Sequence, residues 1–174
     1  MKIDPYKHKE RYLKWKQSIQ NNKTLKGLSK TNSELIINYI FDMENGLNVA
    51  NSAKKGARSY SRLNSLQQRL SFLLKEFEKR FNLKDITEIQ ERELFSLFNG
   101  MRNGIITRKD GKPYMSTHDY VKVFKAFWHW HIKVNRKLDK EVKDITIDLD
   151  STPTSKPKWV YLNETQIKKL INHS

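Results

Sequence analysis

Tyr114 to Lys137 reads YMSTHDYVKVFKAFWHWHIKVNRK, and two helical periodicities run through it. Tyr120, Val123, Phe124, Phe127, Trp128 and Ile132 recur at i, i+3 and i+4, the spacing of a buried helix face. His118, Lys122, Lys125, His129, Lys133 and Arg136 recur at the same steps on another side of the same helix. One face is aromatic; the other is rich in donors and nearly free of acid. A helix of this kind anchors itself in a core and turns a row of cations outward, an arrangement suited to a phosphate backbone.

Working outward, the other segments carry the same helical signature. Only 6 Gly and 4 Pro punctuate 174 residues, so long helices are expected. The first is expected from Pro5 to Gln20, with Asp4 as cap and Pro5 at the first helical position. Its narrow apolar edge is Tyr12, Trp15 and Ile19. A second runs from about Ser33 to Asn45, its stripe being Ile36, Tyr39, Ile40, Met43 and Leu47, with Gly46 as the stop. The third spans about Ser59 to Asn82 and buries Leu63, Leu66, Leu70, Leu73, Leu74, Phe77 and Phe81. Arg58, Arg62, Ser65 and Arg69 line its other edge. A fourth covers about Ile89 to Arg102, with Leu94, Leu97, Phe98 and Met101 inward. The turn pairs Asn103-Gly104 and Asp110-Gly111 then allow a short two-strand flap near 105–115. Beyond Arg136 the periodicity stops. A Ser/Thr/Lys-rich stretch holding Pro153 and Pro157 has the chemistry of a linker. Trp159 to Leu162 suits a strand, and Asn163 with Gln166 resembles a capping box before a short helix with Ile167, Leu170 and Ile171 inward. The expected fold is all-α, a small bundle of four to five helices.

Net charge is +15, which argues for a polyanionic partner, nucleic acid ahead of an anionic membrane. The sign of charge is also segregated. Lys54 to Asn82 carries 8 Lys/Arg against 2 acids, and Arg102 to Lys137 carries 9 against 2. Between them Lys84 to Asn99 is net acidic. The candidate contacts are therefore Lys54, Lys55, Arg58, Arg62 and Arg69 from the third helix and its approach. Arg108, Lys109 and Lys112 come from the loop, and His118, Lys122, Lys125, His129 and Arg136 from the fifth helix. Lys and Arg supply affinity through counterion release and little sequence information.

The chain has no cysteine, which removes thiolate nucleophiles, disulfides and Cys-type zinc sites. The charged N-terminus has no apolar core of a signal peptide, and LIINYIF at Leu35 to Phe41 is far too short to span a bilayer. A soluble, cytoplasmic, nucleoid-associated protein is expected. His129 and His131 lie two apart and point away from each other on a helix, so no metal site is expected. Asp148 and Asp150 form a D-x-D, but a two-metal centre needs further converging acids. No cofactor and no small-molecule substrate is expected.

Several phrases carry a family resemblance: KKGARSYSRL leading into LNSLQQRLSFLLKEF, the DIT at Asp85 to Thr87 opening an acidic helix, NGMRNG, RKDGKPY and STHDYVKVFKAFWHW. Together they resemble the N-terminal core-binding domain of tyrosine recombinases, the phage-integrase family, and archaeal integrase-like members in particular. KPKWVYLNETQIKKLI is similar to the linker and first helix of that family's catalytic domain. The residues themselves give an N-terminal helix within 1–28; the resemblance covers Ser29 onward and implies a DNA-binding core-binding domain over 29–138, an interdomain linker over 139–158 and the start of a catalytic domain over 159–174. It implies a clamp on double-stranded DNA, with contacts to other recombinase protomers, and two helices addressing the major groove. The family's catalytic Arg, Lys, His and Tyr set belongs to the C-terminal domain, so no catalysis is expected of this chain. The residues alone also fit an RNA-binding helical protein, a protein-interaction module or a nuclease using Asp148 and Asp150.

Overall fold

A computed structural model describes residues 4–51, 53–153, 163–165 and 168. It is all-helical among those residues: α1 (His8–Asn22), α2 (Lys30–Asn45), α3 (Tyr60–Phe81), a single 3-10 turn at Ile86–Glu88, α4 (Glu91–Arg102) and α5 (Thr117–Arg136). The apolar spacing puts α3 at the centre, where it touches α1, α2 and α5, while α5 also touches α4. None of the described helices is long and apolar enough to cross a membrane.

Caps fix the starts of the helices. Ser59 accepts the Arg62 N–H to open α3, and Ser29 accepts the Asn32 N–H to open α2 three residues earlier than the sequence suggested. The Ser33 hydroxyl is engaged elsewhere, accepting from Leu25 N–H and donating to the Ser29 carbonyl. Likewise α1 begins at His8 rather than Pro5. Asp4 to Lys7 first closes a turn through Lys7 N–H to the Asp4 carbonyl, and the Asp4 carboxylate then takes the Lys9 N–H at 3.3 Å. Gln90 and Glu93 form a reciprocal capping box on α4, which satisfies donors that the helix start leaves open.

The core is aromatic along α5. Phe124 meets Phe77, Phe98 and Trp128 at ring distances of 5.8, 6.1 and 6.0 Å, and Phe127 meets Tyr39 and Trp130 at 5.6 and 5.7 Å. Such pairs contribute about 0.5–1.5 kcal/mol each beyond burial. Tyr120 and Ile132, expected in this face, are only half-buried, whereas Val121 and Trp130 are buried. The helix is covered on more of its circumference than one stripe implies.

Leu47 departs from the expected stripe of α2 and is 53% exposed. Gly46 ends the helix at φ 71°, and the chain leaves the helix axis there, with Leu47 N–H returning to the Asp42 carbonyl at 2.7 Å. A Cβ on Gly46 would lie 2.5 Å from the Gly56 carbonyl carbon, so the glycine also lets the α2–α3 connector fold back closely. Arg58 N–H then reaches the Met43 carbonyl at 2.9 Å. Gly46→Ala combines a left-handed backbone with a backbone clash. It is expected to cost about 1–3 kcal/mol, seen as a lower urea midpoint at unchanged slope.

Two expectations for the second half differ from what is found. The 105–115 flap is a turn closed by one isolated antiparallel bridge, Thr107 to Pro113, not a pair of strands. The stretch expected as a linker, over 139–158, folds back against the helices through its described part: Ile145, Thr146 and Leu149 are buried. Trp159 to Leu162 and the apolar residues Ile167, Leu170 and Ile171 of the expected terminal helix lie outside the described residues.

Candidate nucleic-acid interface

The apolar stripe of α3 faces the core, which leaves its arginine edge at the surface. Arg62, Ser65 and Arg69 share that edge, and at 100° per residue Glu76 and Arg80 continue it. From Arg62 to Arg80 the edge is about 27 Å long. Arg62 is exposed and has no ion pair among the described residues. Arg58, just before the helix, donates to the Gly56 carbonyl at 3.1 Å. Burial pushes the Tyr39 hydroxyl up to about 12, against the opposing fields of Arg62 and Arg58. Arg69 lies 3.5 Å from Asp119 and 5.7 Å over the Tyr120 ring, so the edge of α3 meets the start of α5 at this arginine. Arg80 is held 3.0 Å from Glu76.

The loop joins them through three rings. Phe72 of α3 lies 5.4 Å from Tyr114 and 5.3 Å from Tyr120, and the two tyrosines are 5.8 Å apart. Burial raises the Tyr114 hydroxyl above its ordinary value, assisted by Tyr120 and Glu76 and opposed by Arg108 and Arg80. Around this cluster Arg108, Lys109, Lys112 and Lys122 are exposed. Arg108 has a local partner in Asp110 at 3.2 Å. His118 is half-buried, 3.4 Å from Asp119, with its Nδ1 buried and unpartnered.

The rest of the α5 row is differently placed. Segment 142–150 crosses it: Lys125 donates to the Leu149 carbonyl at 3.1 Å, Trp128 Nε1 to the Lys143 carbonyl at 3.0 Å, and His129 Nε2 sits 3.0 Å from Asp144. Burial works to raise the Asp144 carboxyl, but the Thr146 hydroxyl and N–H together with His129 outweigh it and hold it below the ordinary carboxylate range. Arg102 pairs with Asp150 at 2.6 Å and also donates to its carbonyl. Asp150 is drawn down to about 2 by the Thr152 hydroxyl and N–H and by Arg102, and Asp148 is exposed. Lys133 reaches the Val49 carbonyl at 2.9 Å and Lys137 the Asn48 side chain at 2.6 Å. Only Lys122 and Arg136 of the six α5 row residues are exposed, and 14 residues separate them, about 21 Å along the helix.

Lys54 and Lys55 stand in the α2–α3 connector, exposed, with Lys55 bonded to the Ala50 carbonyl at 3.0 Å. Nearby, His129, Lys133 and Arg136 line a groove of about 660 Å³ together with Glu141 and Asp144. Its mixed sign contrasts with the α3–loop–α5 corner. The candidates thus fall into two groups: Arg69, Arg108, Lys109, Lys112, His118 and Lys122 around the corner, and Lys54, Lys55, Arg58, Arg62 and Arg136 toward the connector, the start of α3 and the end of α5. Lys125 and His129 are engaged beneath segment 142–150. Arg80 was missed, although its angular position on α3 was readable behind Phe72 and Glu76. Comparison of the chain with protein-family models, curated proteins and solved structures finds no match.

Proposed function

We propose that this chain binds duplex DNA along the arginine edge of α3, with the 105–113 loop and the first turns of α5 closing one side. The observation that carries this is the corner itself: Arg69 of α3 lies over the Tyr120 ring of α5, and the Phe72, Tyr114 and Tyr120 rings hold α3, the cationic 105–113 loop and the start of α5 together. An edge about 27 Å long matches roughly eight base pairs at 3.4 Å each. Its arginines suit phosphate oxygens first and guanine edges second. The resemblance to the core-binding domain of tyrosine recombinases supports the same partner. Under it, the chain is the clamp half of an integrase-like enzyme, and strand exchange is done by catalytic residues elsewhere.

Anisotropy titrations of a labelled 20-bp duplex, its single strand and a hairpin RNA across a salt series test this. Five or six phosphate contacts are expected to give a log–log salt slope near −5, at about −0.9 per contact. Preference for the RNA hairpin would favour an RNA-binding protein. Absence of any binding at low salt, with self-association in its place, would favour an interaction module.

A further inference from the structure

We propose that Ile105 is a wedge that enters a base step of bound duplex DNA from the minor-groove side and kinks it. The proposal rests on the duplex-binding reading above and names a residue that charge alone does not select.

Among the described residues Ile105 is the most exposed large hydrophobic side chain, at 79%. The local backbone holds it there. Its neighbour Ile106 takes the inward place: the Ile106 side chain is buried against Gly100, where a Cβ would come within 2.9 Å of it, and the Ile106 N–H donates to the Gly100 carbonyl at 2.9 Å. Gly104, at φ 71°, supplies the turn just before. After it the Thr107–Pro113 bridge and the Arg108 N–H to the Lys112 carbonyl, 2.9 Å, close the loop. Two adjacent isoleucines are thus sorted, one in and one out, by a tied backbone. Moving Ile105 inward would break those contacts.

The surroundings match one occupant. Ile105 borders a groove of about 670 Å³ whose lining includes Lys79, Arg80, Asn99 and Asn103 and no carboxylate. Arg108, Lys109 and Lys112 follow within the same loop, all exposed. An apolar tip between two sets of cations is poorly suited to an apolar protein partner, because docking would desolvate those charges. It suits a polyanion that also offers an apolar slot, which a base step does. Apolar side chains used this way unstack a step and bend the duplex by about 20–90°.

The test uses the full chain with a duplex carrying a donor and an acceptor at its ends and, separately, 2-aminopurine at internal steps. Binding is expected to raise end-to-end energy transfer and to brighten 2-aminopurine at one step. Ile105→Ser is expected to keep affinity within about tenfold and leave the salt slope unchanged, because no phosphate contact is removed, while abolishing both optical changes. Ile105→Leu should restore them. Matching thermal denaturation curves check that the variants fold, and Ile105→Ala serves as a second truncation. Wild-type binding with a straight duplex, or Ile105→Ser bending it equally, would overturn the wedge while leaving duplex binding intact. No anisotropy change with any duplex would overturn both.

Discussion

Replacing Arg62, Arg69 and Arg80 together by Gln is expected to weaken duplex binding about 500-fold at roughly 0.1 M salt and to flatten the log–log salt slope by about 2.7. The figure follows from counterion release: each lost phosphate contact removes about 0.9 from the slope, and three such contacts at a tenth molar amount to about 2.7 decades. Gln keeps a long polar side chain, so the change isolates charge. The ion pairs surrendered, Arg69 with Asp119 and Arg80 with Glu76, are partly exposed, and pairs of that kind contribute at most about 1 kcal/mol to folding. The matched control is Lys125→Gln with Lys133→Gln. Both lysines donate to backbone carbonyls, of Leu149 and Val49, so the loss should register in the urea midpoint and leave the salt slope alone. If the α3 variant retains the wild-type slope, the arginine edge is not where the phosphates lie. If the α5 control flattens it instead, Lys125 must leave the Leu149 carbonyl or Lys133 the Val49 carbonyl on binding.

The contrast between those two variants marks how far the sequence could be read. Helix existence and the inward stripe of α3 rest on local spacing, and Leu63, Leu66, Leu70, Leu73, Leu74 and Phe77 are all buried as that spacing requires. Caps such as Ser59 and stops such as Gly46 are local too. What covers a face is not local. The donor row on α5 has the right angular spacing, but periodicity cannot tell which part of it another segment will cross. The only advance sign was Ile145 and Leu149 at i, i+4 amid acids, within a stretch whose Pro and Ser/Thr content argued for a linker. Arg80 was legible as the continuation of the Arg62, Ser65 and Arg69 edge, yet the approach of the loop to that edge depends on Tyr114 packing at a tilt against Phe72, a contact between residues far apart in the chain. Ile105 carried no signal at all, because only the backbone of the turn decides which of two adjacent isoleucines goes inward.

Asn32→Ala is expected to destabilise the fold by about 4–6 kcal/mol, a large share of the roughly 5–15 kcal/mol that holds a domain of this kind. Asn32 is fully buried, and its amide ties three segments. Nδ2 donates to Glu78 at 2.7 Å and to the Leu83 carbonyl at 3.0 Å, while Oδ1 accepts the Ile86 N–H at 2.8 Å. The start of α2, the end of α3 and the 3-10 turn meet there. Alanine would remove three hydrogen bonds at about 1 kcal/mol net each and leave the Ile86 N–H buried without a partner, which adds about 1–3 kcal/mol. Urea unfolding gives the number, and a loss below 1 kcal/mol would mean that the three segments are held by apolar packing alone. Glu78 adds a pH signature. Burial acts to raise its carboxyl, but the Ser29 N–H, the Asn32 amide, the Ser29 hydroxyl and Lys84 outweigh it and lower it from its ordinary 4.5. A carboxyl lowered on folding stabilises the native state fully above its unfolded value, and that contribution fades as pH falls through the native one. Stability should therefore decline below pH 4.5 in the wild type, and Glu78→Gln should shrink that decline while keeping an acceptor for Ser29 and Asn32. An identical acid limb in the variant would assign the decline to other carboxylates, with Asp144, lowered by Thr146 and His129 despite its burial, the next to replace.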